Sequence, residues 1–273
     1  MPVSRANGVE IWYEAAGDGP AMILVHANPF DHDLWLYQSA HFSTWFKVIG
    51  IDIRGYGRSA KITQPYTLKD MADDVVGVMR DVGVSRAVCM GCSVGSAIAI
   101  LLGLDHPEMF DAVILVGGNS ASSSRYQTRI DGYRKDLGTY HIKHMRELVA
   151  PAFANSRLGQ HLLDIFVQRE GRLKSDAIAQ VFVAGNLTDT TERLPDMKVP
   201  TLVINGEFDH SLPAGRRTAS LTPGAEHKVL PGTGHACCLE DPAGFDAFVI
   251  DFLSARGLMP PLLSFPARPA SNI

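Results

Sequence analysis

Five short apolar runs constrain this chain more than any other feature. They lie at Ala21-Met22-Ile23-Leu24-Val25, Val48-Ile49-Gly50-Ile51, Ala87-Val88-Cys89-Met90, Ala112-Val113-Ile114-Leu115-Val116 and Thr201-Leu202-Val203-Ile204. A strand that is apolar at nearly every position has no face to give to water, so it must be covered on both sides, as inner strands of a parallel sheet are. Segments with helical periodicity separate the runs at roughly 33–44, 67–82 and 94–105; Thr67 caps the second ahead of Asp70, and the third ends at His106-Pro107. Strand and helix therefore alternate. That pattern predicts right-handed crossovers and an open, doubly wound, mostly parallel α/β sheet flanked by helices, with ligands at the carboxyl ends of the strands. Ahead of the first run, Val9, Ile11 and Tyr13 alternate and Asp18-Gly19-Pro20 reads as a turn, so a hairpin is expected to open the fold.

The alternation stops near residue 119. From Ser120 to about Asp196 the chain turns polar, and helix-like stretches (Tyr133 to Leu137, Ile142 to Phe153, Leu158 to Arg169, Lys174 to Ala184) follow one another with no apolar strand between them. This predicts a helical cap over 120–196, inserted into a core made of 1–119 and 197–257. Strand and helix resume at Val199-Pro200, with a last strand over Glu226 to Leu230 and a last helix over 241–255 opening at Asp241-Pro242. The proline-rich tail, 258–273, is expected to carry no regular structure. At 273 residues, one core with an insertion fits better than two independent domains.

Composition narrows the class of partner. With 25 basic against 29 acidic residues and a formal charge of -4, the chain has no broad cationic surface for nucleic acid. No apolar stretch reaches the roughly 18 residues of a membrane span, and the start MPVSRANGVEIWYE lacks the features of a secretory signal, so a cytoplasmic protein is expected. Homo-oligomerisation stays open. Cys89, Cys92, Cys237 and Cys238 form two close pairs that suit reduced thiols better than disulfides. The Cys89-x-x-Cys92 spacing allows a redox or zinc reading, but it overlaps a strand end and the turn that follows.

That turn, Gly91-Cys92-Ser93-Val94-Gly95, carries the main chemical signal, because it lies directly between a buried strand and a helix. A serine becomes a usable nucleophile when a sharp turn exposes it beside a base, and glycines on either side let the turn close. The base must be a histidine from another strand end. Of ten histidines, His235 is the candidate, in the glycine-rich loop Gly232-Thr233-Gly234-His235 between the last strand and the last helix. His141, His144 and His161 fall in the presumed cap helices and His106 ends a helix, which suits surface or packing roles; His26, at a buried strand end, suits tying its loop to neighbours. An acid should orient the base, and Asp209 follows the strand Thr201 to Ile204 on a loop; Glu207, two residues nearer the strand, is its competitor. The oxyanion would rest on the amides of Val94 and Asn28, with Ala27 the rival for the second.

These segments resemble the α/β-hydrolase superfamily over roughly residues 9–256. His26-Ala27-Asn28-Pro29 resembles the H-G-x-P oxyanion loop with alanine in place of glycine, and Asp52-Ile53-Arg54-Gly55-Tyr56-Gly57-Arg58-Ser59 resembles the D-x-R-G-x-G-x-S turn. Gly206-Glu207-Phe208-Asp209 and Gly232-Thr233-Gly234-His235 resemble the acid and histidine loops, and the chain is most similar to small esterases and lactonases of the 3-oxoadipate enol-lactone hydrolase type. The resemblance implies a serine hydrolase that cleaves a small-molecule ester or lactone through an acyl-enzyme, with no cofactor and no metal. The H-x-N-P loop also occurs in haloalkane dehalogenases, but those need an aspartate where Ser93 stands. Carbon-carbon hydrolases of diketones, cofactor-free perhydrolases and plant hormone receptors share the triad and stay as alternatives. Phe30, Trp35, Tyr126, Tyr133, Phe153, Phe166 and Phe182 are the candidates for an apolar substrate pocket.

Overall fold

The computed structural model describes residues 2–118, 120, 121 and 125–261. Its strands are β1 (Val3–Ser4), β2 (Ile11–Ala16), β3 (Ala21–Val25), β4 (Lys47–Ile51), β5 (Ala87–Cys92), β6 (Phe110–Val116), β7 (Thr201–Gly206) and β8 (Glu226–Leu230). They form one sheet in the order β1-β2-β4-β3-β5-β6-β7-β8; β1 and β2, and β2 and β4, pair antiparallel, and all other pairs are parallel. The helices are α1 (Leu36–Phe42), α2 (Leu68–Asp81), α3 (Val94–Asp105), α4 (Arg125–Lys135), α5 (Leu137–Glu147), α6 (Pro151–Asn155), α7 (Arg157–Val167), α8 (Ser175–Asn186), α9 (Leu212–Leu221), α10 (Cys237–Glu240) and α11 (Pro242–Ser254).

The unbroken apolar runs are explained by two cores, one on each face. Side chains alternate along a strand, so Ile23 and Val25 of β3 join Ile49, Cys89, Val113 and Val203 under α2 and α3, whereas Met22 and Leu24 join Val48, Met90, Ile114 and Leu202 under α11. Burying each such side chain contributes roughly 1.5–3 kcal/mol, which holds the sheet between its layers. The chain passes from β3 outward to β4 and then back to β5 on the other side of β3. A crevice opens at the carboxyl ends of strands where the order reverses in this way, and that is where β3 and β5 end.

Local signals act where expected. Thr67 and Asp70 form a reciprocal capping box at the start of α2, and the Asp241 side chain accepts from the Gly244 N–H to cap α11. The hairpin expected across Asp18-Gly19-Pro20 does not form. Gly17 and Gly19, both at positive φ, let this loop press against the carbonyls of Ser43, Trp45 and Phe46, and the chain passes on to β3, one strand beyond β4. The opening hairpin is β1 with β2. The expected helix over 142–153 is two helices, because Pro151 has no N–H to donate and holds Ala150 extended. Residues 258–261 have no regular structure, and the rest of the expected tail, 262–273, lies outside the described residues.

All of α4 to α8 falls between β6 and β7, over the carboxyl ends of the strands. His141 Nε2 lies 3.3 Å from the Pro29 carbonyl, and an added Cβ at Gly55 would lie 3.1 Å from Val181. Arg169, just past α7, pairs with Asp31 at 2.9 Å and also meets Asp33, which fastens this helical segment to the loop after β3.

Beneath that loop, Asp52 is fully buried and accepts from the His32 N–H (3.0 Å), His32 Nδ1 (2.7 Å) and the Arg58 N–H (2.7 Å). Burial alone would raise its carboxyl, but the hydrogen bond and charge of His32 outweigh that and hold it at about 2. A carboxyl pulled down on folding stabilises the fold above its unfolded pKa of about 3.9, and that contribution is lost as pH falls through the folded value. Asp52→Asn is expected to cost about 2 kcal/mol at neutral pH and much less near pH 2. Urea unfolding of both proteins across that range checks this, and a deficit that does not shrink on acidification counts against it.

Candidate active site

β5 ends at Cys92, and the chain must turn at once into α3. Ser93 makes that turn at φ 55°, ψ −113°, as the one non-glycine residue with positive φ among the described residues. Such a backbone costs about 1–3 kcal/mol and has to be held by its surroundings. Its N–H donates to the Val116 carbonyl (2.8 Å), and Ser96 Oγ donates to its carbonyl (2.7 Å). Gly91 and Gly95 permit the close approach, since a Cβ on Gly91 would strike the Gly95 carbonyl and one on Gly95 the Val25 carbonyl. The Val94 N–H, at the first position of α3, has no intrahelical acceptor and stands at the positive end of the helix dipole, whereas the Ser96 and Ala97 N–H groups donate to the Ser93 carbonyl at 2.9 and 3.1 Å.

The loop after β3 brings Asn28 to the same crevice, 5% exposed, and its Oδ1 accepts no hydrogen bond among the described residues. His26 lies behind it. Its Nε2 accepts from the Ile53 N–H (3.0 Å), so its Nδ1 carries the proton and meets the Ala27 carbonyl at 2.9 Å. Burial holds this ring neutral by lowering its pKa, and its bonds tie two strand-end loops together.

His235 follows β8 and lies over Gly117, where a Cβ would come within 2.5 Å of its Cε1. Its Nδ1 is 2.7 Å from Asp209 Oδ1. A carboxylate can only accept, so Nδ1 carries the proton and Nε2 is left with a lone pair. Asp209 is 4% exposed and also accepts from the Ser211 N–H (2.8 Å), Ser211 Oγ (2.8 Å and 2.9 Å) and Asn205 Nδ2 (2.8 Å). Burial would raise its carboxyl, yet His235 and these donors hold it well below the usual carboxylate range. Glu207 faces elsewhere and accepts from the Gly232 N–H (2.9 Å).

The histidine loop is also tied to the helical insertion. The Ala236 N–H donates to the Leu148 carbonyl (2.8 Å), and the Glu240 carboxyl accepts from both the Ala150 and the Gly234 N–H at 2.8 Å. Burial outweighs these donors and raises the Glu240 carboxyl to about 7.

Ser93, Val94, Asn28 and His235 all line one cavity of about 170 Å³, which the insertion covers. Of the seven aromatics expected at a pocket, Tyr126 and Phe182 line it and five do not. Tyr133 stacks behind Phe182, Phe30 packs edge-on to Phe166 around a separate small crevice, Trp35 is buried against Phe245, and Phe153 is half-buried on that same core. Sequence spacing separates wall from packing poorly, because both demand apolar area on the same helices. Sequence reasoning missed Arg125, Arg129, His210 and Ser211, and took His144 for surface or packing; all five line the cavity. His210 stands next to Asp209 in sequence, its ring 4.6 Å from that of His235, and burial first, then its cationic neighbours, lowers it to about 3.

Cys89 and Cys92 sit in cores on opposite faces of the sheet, so the C-x-x-C spacing cannot converge on one metal or one disulfide. Asp209, His210 and His235 offer ligand atoms within 4.8 Å of one another, but both oxygens of Asp209 already accept from protein donors. No helix among the described residues is long and apolar enough to cross a membrane.

A family described as alpha/beta hydrolase fold matches residues 20–242. Over 250 residues the chain is 29% identical to RutD of Caulobacter sp. (strain K31), whose name proposes carbamate hydrolysis, covering 88% of this chain and 93% of that one. It is 27% identical to the bifunctional esterase/perhydrolase DCH of Acinetobacter calcoaceticus, over 85% and 92% of the two chains. The enol-lactonase of Burkholderia xenovorans LB400 superposes with a TM-score of 0.85 at 24% identity, over 93% of this chain and all of that one.

Proposed function

Because the chain belongs to the alpha/beta hydrolase fold family, we propose that it is a serine hydrolase that cleaves a small ester or lactone through an acyl-enzyme. One observation carries this reading. His235, oriented by Asp209 at 2.7 Å, shares a cavity with a serine held on a strained strand-to-helix turn. Ser93 Oγ attacks the carbonyl as His235 Nε2 takes its proton, and the oxyanion rests on the amides of Val94 and Asn28. His235 then protonates the leaving alkoxide and activates the water that frees the acid. Asp209, already ionised, stabilises the imidazolium without taking its proton. The helical insertion acts as a cap that keeps bulk water from the acyl-enzyme. Interception of that acyl group by hydrogen peroxide is the second reading, favoured by the esterase/perhydrolase name of the Acinetobacter relative.

A fluorophosphonate probe tests the reading directly. It is expected to phosphonylate Ser93, seen by peptide mass, and to remove turnover of a nitrophenyl ester in proportion to labelling. A label on another residue, or turnover that survives full labelling, would sink it.

A further inference from the structure

His144 is a cavity residue that packing alone does not explain. It sits on α5 among Tyr133, Tyr140 and Phe182, with ring centroids 5.8, 6.3 and 5.9 Å away, and is 3% exposed. A phenylalanine would fill such an aromatic box without taking two polar nitrogens out of water, at a cost on the order of 1–3 kcal/mol for each one left unpaired. One nitrogen is satisfied inside the protein. Nδ1 lies 2.8 Å from the hydroxyl of Tyr133, which is itself fully buried. The other is not. Among the described residues no hydrogen bond reaches Nε2, and it is not sealed off from the cavity that the ring lines with Ser93 and His235.

The Tyr133 contact also sets which way the ring is protonated. Burial first, and then the cationic neighbours Arg129, His235, His141 and His210, push the imidazole well below its ordinary value, so it is neutral and carries one proton. A phenol gives its hydrogen readily and accepts weakly, because its lone pair is drawn into the ring, whereas a bare imidazole nitrogen accepts strongly. Tyr133 therefore donates to Nδ1, and the proton of His144 stands on Nε2. His235 is the reverse, since its carboxylate partner holds the proton on Nδ1. The two rings meet one cavity with opposite chemistry, a lone pair at His235 and an N–H at His144.

We propose that His144 is a specificity residue whose Nε2–H donates to an uncharged acceptor oxygen, keto or ether, that the substrate carries away from the scissile carbonyl. A donor already fixed by a buried partner loses little freedom on binding, and it disfavours a ligand that leaves it unpaired. That the oxygen belongs to a substrate rests on the Ser93 hydrolase reading; the contact itself needs no turnover.

The test pairs oxo esters with methylidene counterparts, which keep the shape and lose the acceptor. The pairs are 4-nitrophenyl oxoalkanoates and oxoalkyl acetates, with the oxo group stepped along the chain in each series. At the best position wild type is expected to favour the oxo compound by roughly 5- to 100-fold in kcat/KM, mainly through KM. His144→Phe, which keeps the ring packing, should bring the ratio close to one, and His144→Gln, which keeps an N–H there, should retain part of it. Tyr133→Phe should lower the ratio with His144 still in place, because the proton is then free to sit on either nitrogen. Histidine ¹⁵N correlation spectra read the cause: a ring protonated at Nε2 and unchanged between about pH 5 and 8, missing in His144→Phe and a mixture of tautomers in Tyr133→Phe. No oxo preference at any position, a preference that survives in a folded His144→Phe, or a His144 ring protonated at Nδ1 overturns the inference. Calorimetric titration of Ser93→Ala with the same pairs separates a failure here from a failure of the Ser93 reading. Tighter binding of the oxo ester, lost when His144→Phe is added, supports the contact whatever the nucleophile; equal binding of the two overturns it.

Discussion

Asp209→Asn is expected to lower kcat on a nitrophenyl ester by about 10⁴ while the protein stays folded. The cause is the tautomer of His235. Asp209 accepts at both oxygens, and the one at 2.7 Å from Nδ1 keeps the proton there and the lone pair on Nε2. An asparagine has one acceptor oxygen, for which the Ser211 N–H and hydroxyl compete, and its amide would offer His235 a donor. The ring would then carry its proton on Nε2, the wrong side for a base, and the imidazolium would lose its counter-charge. The measurement is kcat against pH, with circular dichroism and melting temperature as checks on folding. Were Glu207 the acid, Asp209→Asn would be nearly normal and Glu207→Gln would fail, an outcome the Glu207 bond to the Gly232 amide argues against.

Ser93→Ala should have the larger effect, a loss of about 10⁶ in kcat, with residual rate from the oxyanion donors alone. Alanine can occupy the same turn, because the contacts that hold it are main-chain ones: the Val116 carbonyl, the Ser96 hydroxyl and the clearances at Gly91 and Gly95. The melting temperature should therefore change little. Single-turnover kinetics on the same ester should lose the burst of nitrophenolate, since no acyl-enzyme can form. A Ser93→Ala protein that keeps more than about a hundredth of the rate would require another nucleophile.

The inner sheet is legible because burial on both faces leaves its mark on every residue of a strand. β3 to β7 can be read off as apolar runs, and the capping box of α2 announces itself in Thr67 and Asp70. β1 is too short at two residues to show a pattern, and α9 begins at Leu212-Pro213 with few apolar positions to give it a period. Ser93 and His235 stand out because a strand-to-helix turn and a glycine-rich loop need unusual residues. Asp209 is the expected acid and Glu207 its rival two residues away on the same loop; in the structure the Gly232 amide donates to Glu207, and His235 meets Asp209. The cavity wall was the least readable part. Arg129 lies in a polar segment where charge ordinarily signals a solvated face, and nothing local tells that α4 turns this residue inward. The aromatics misled for the matching reason, because a packed ring and a wall ring have the same neighbours in sequence.

One consequence follows from how the imidazole loop is suspended. Leu148, Ala150 and Glu240 strap residues 234–236 to the segment between α5 and α6, so any movement of that margin would drag the His235 imidazole along with it, and with it the alignment to Asp209.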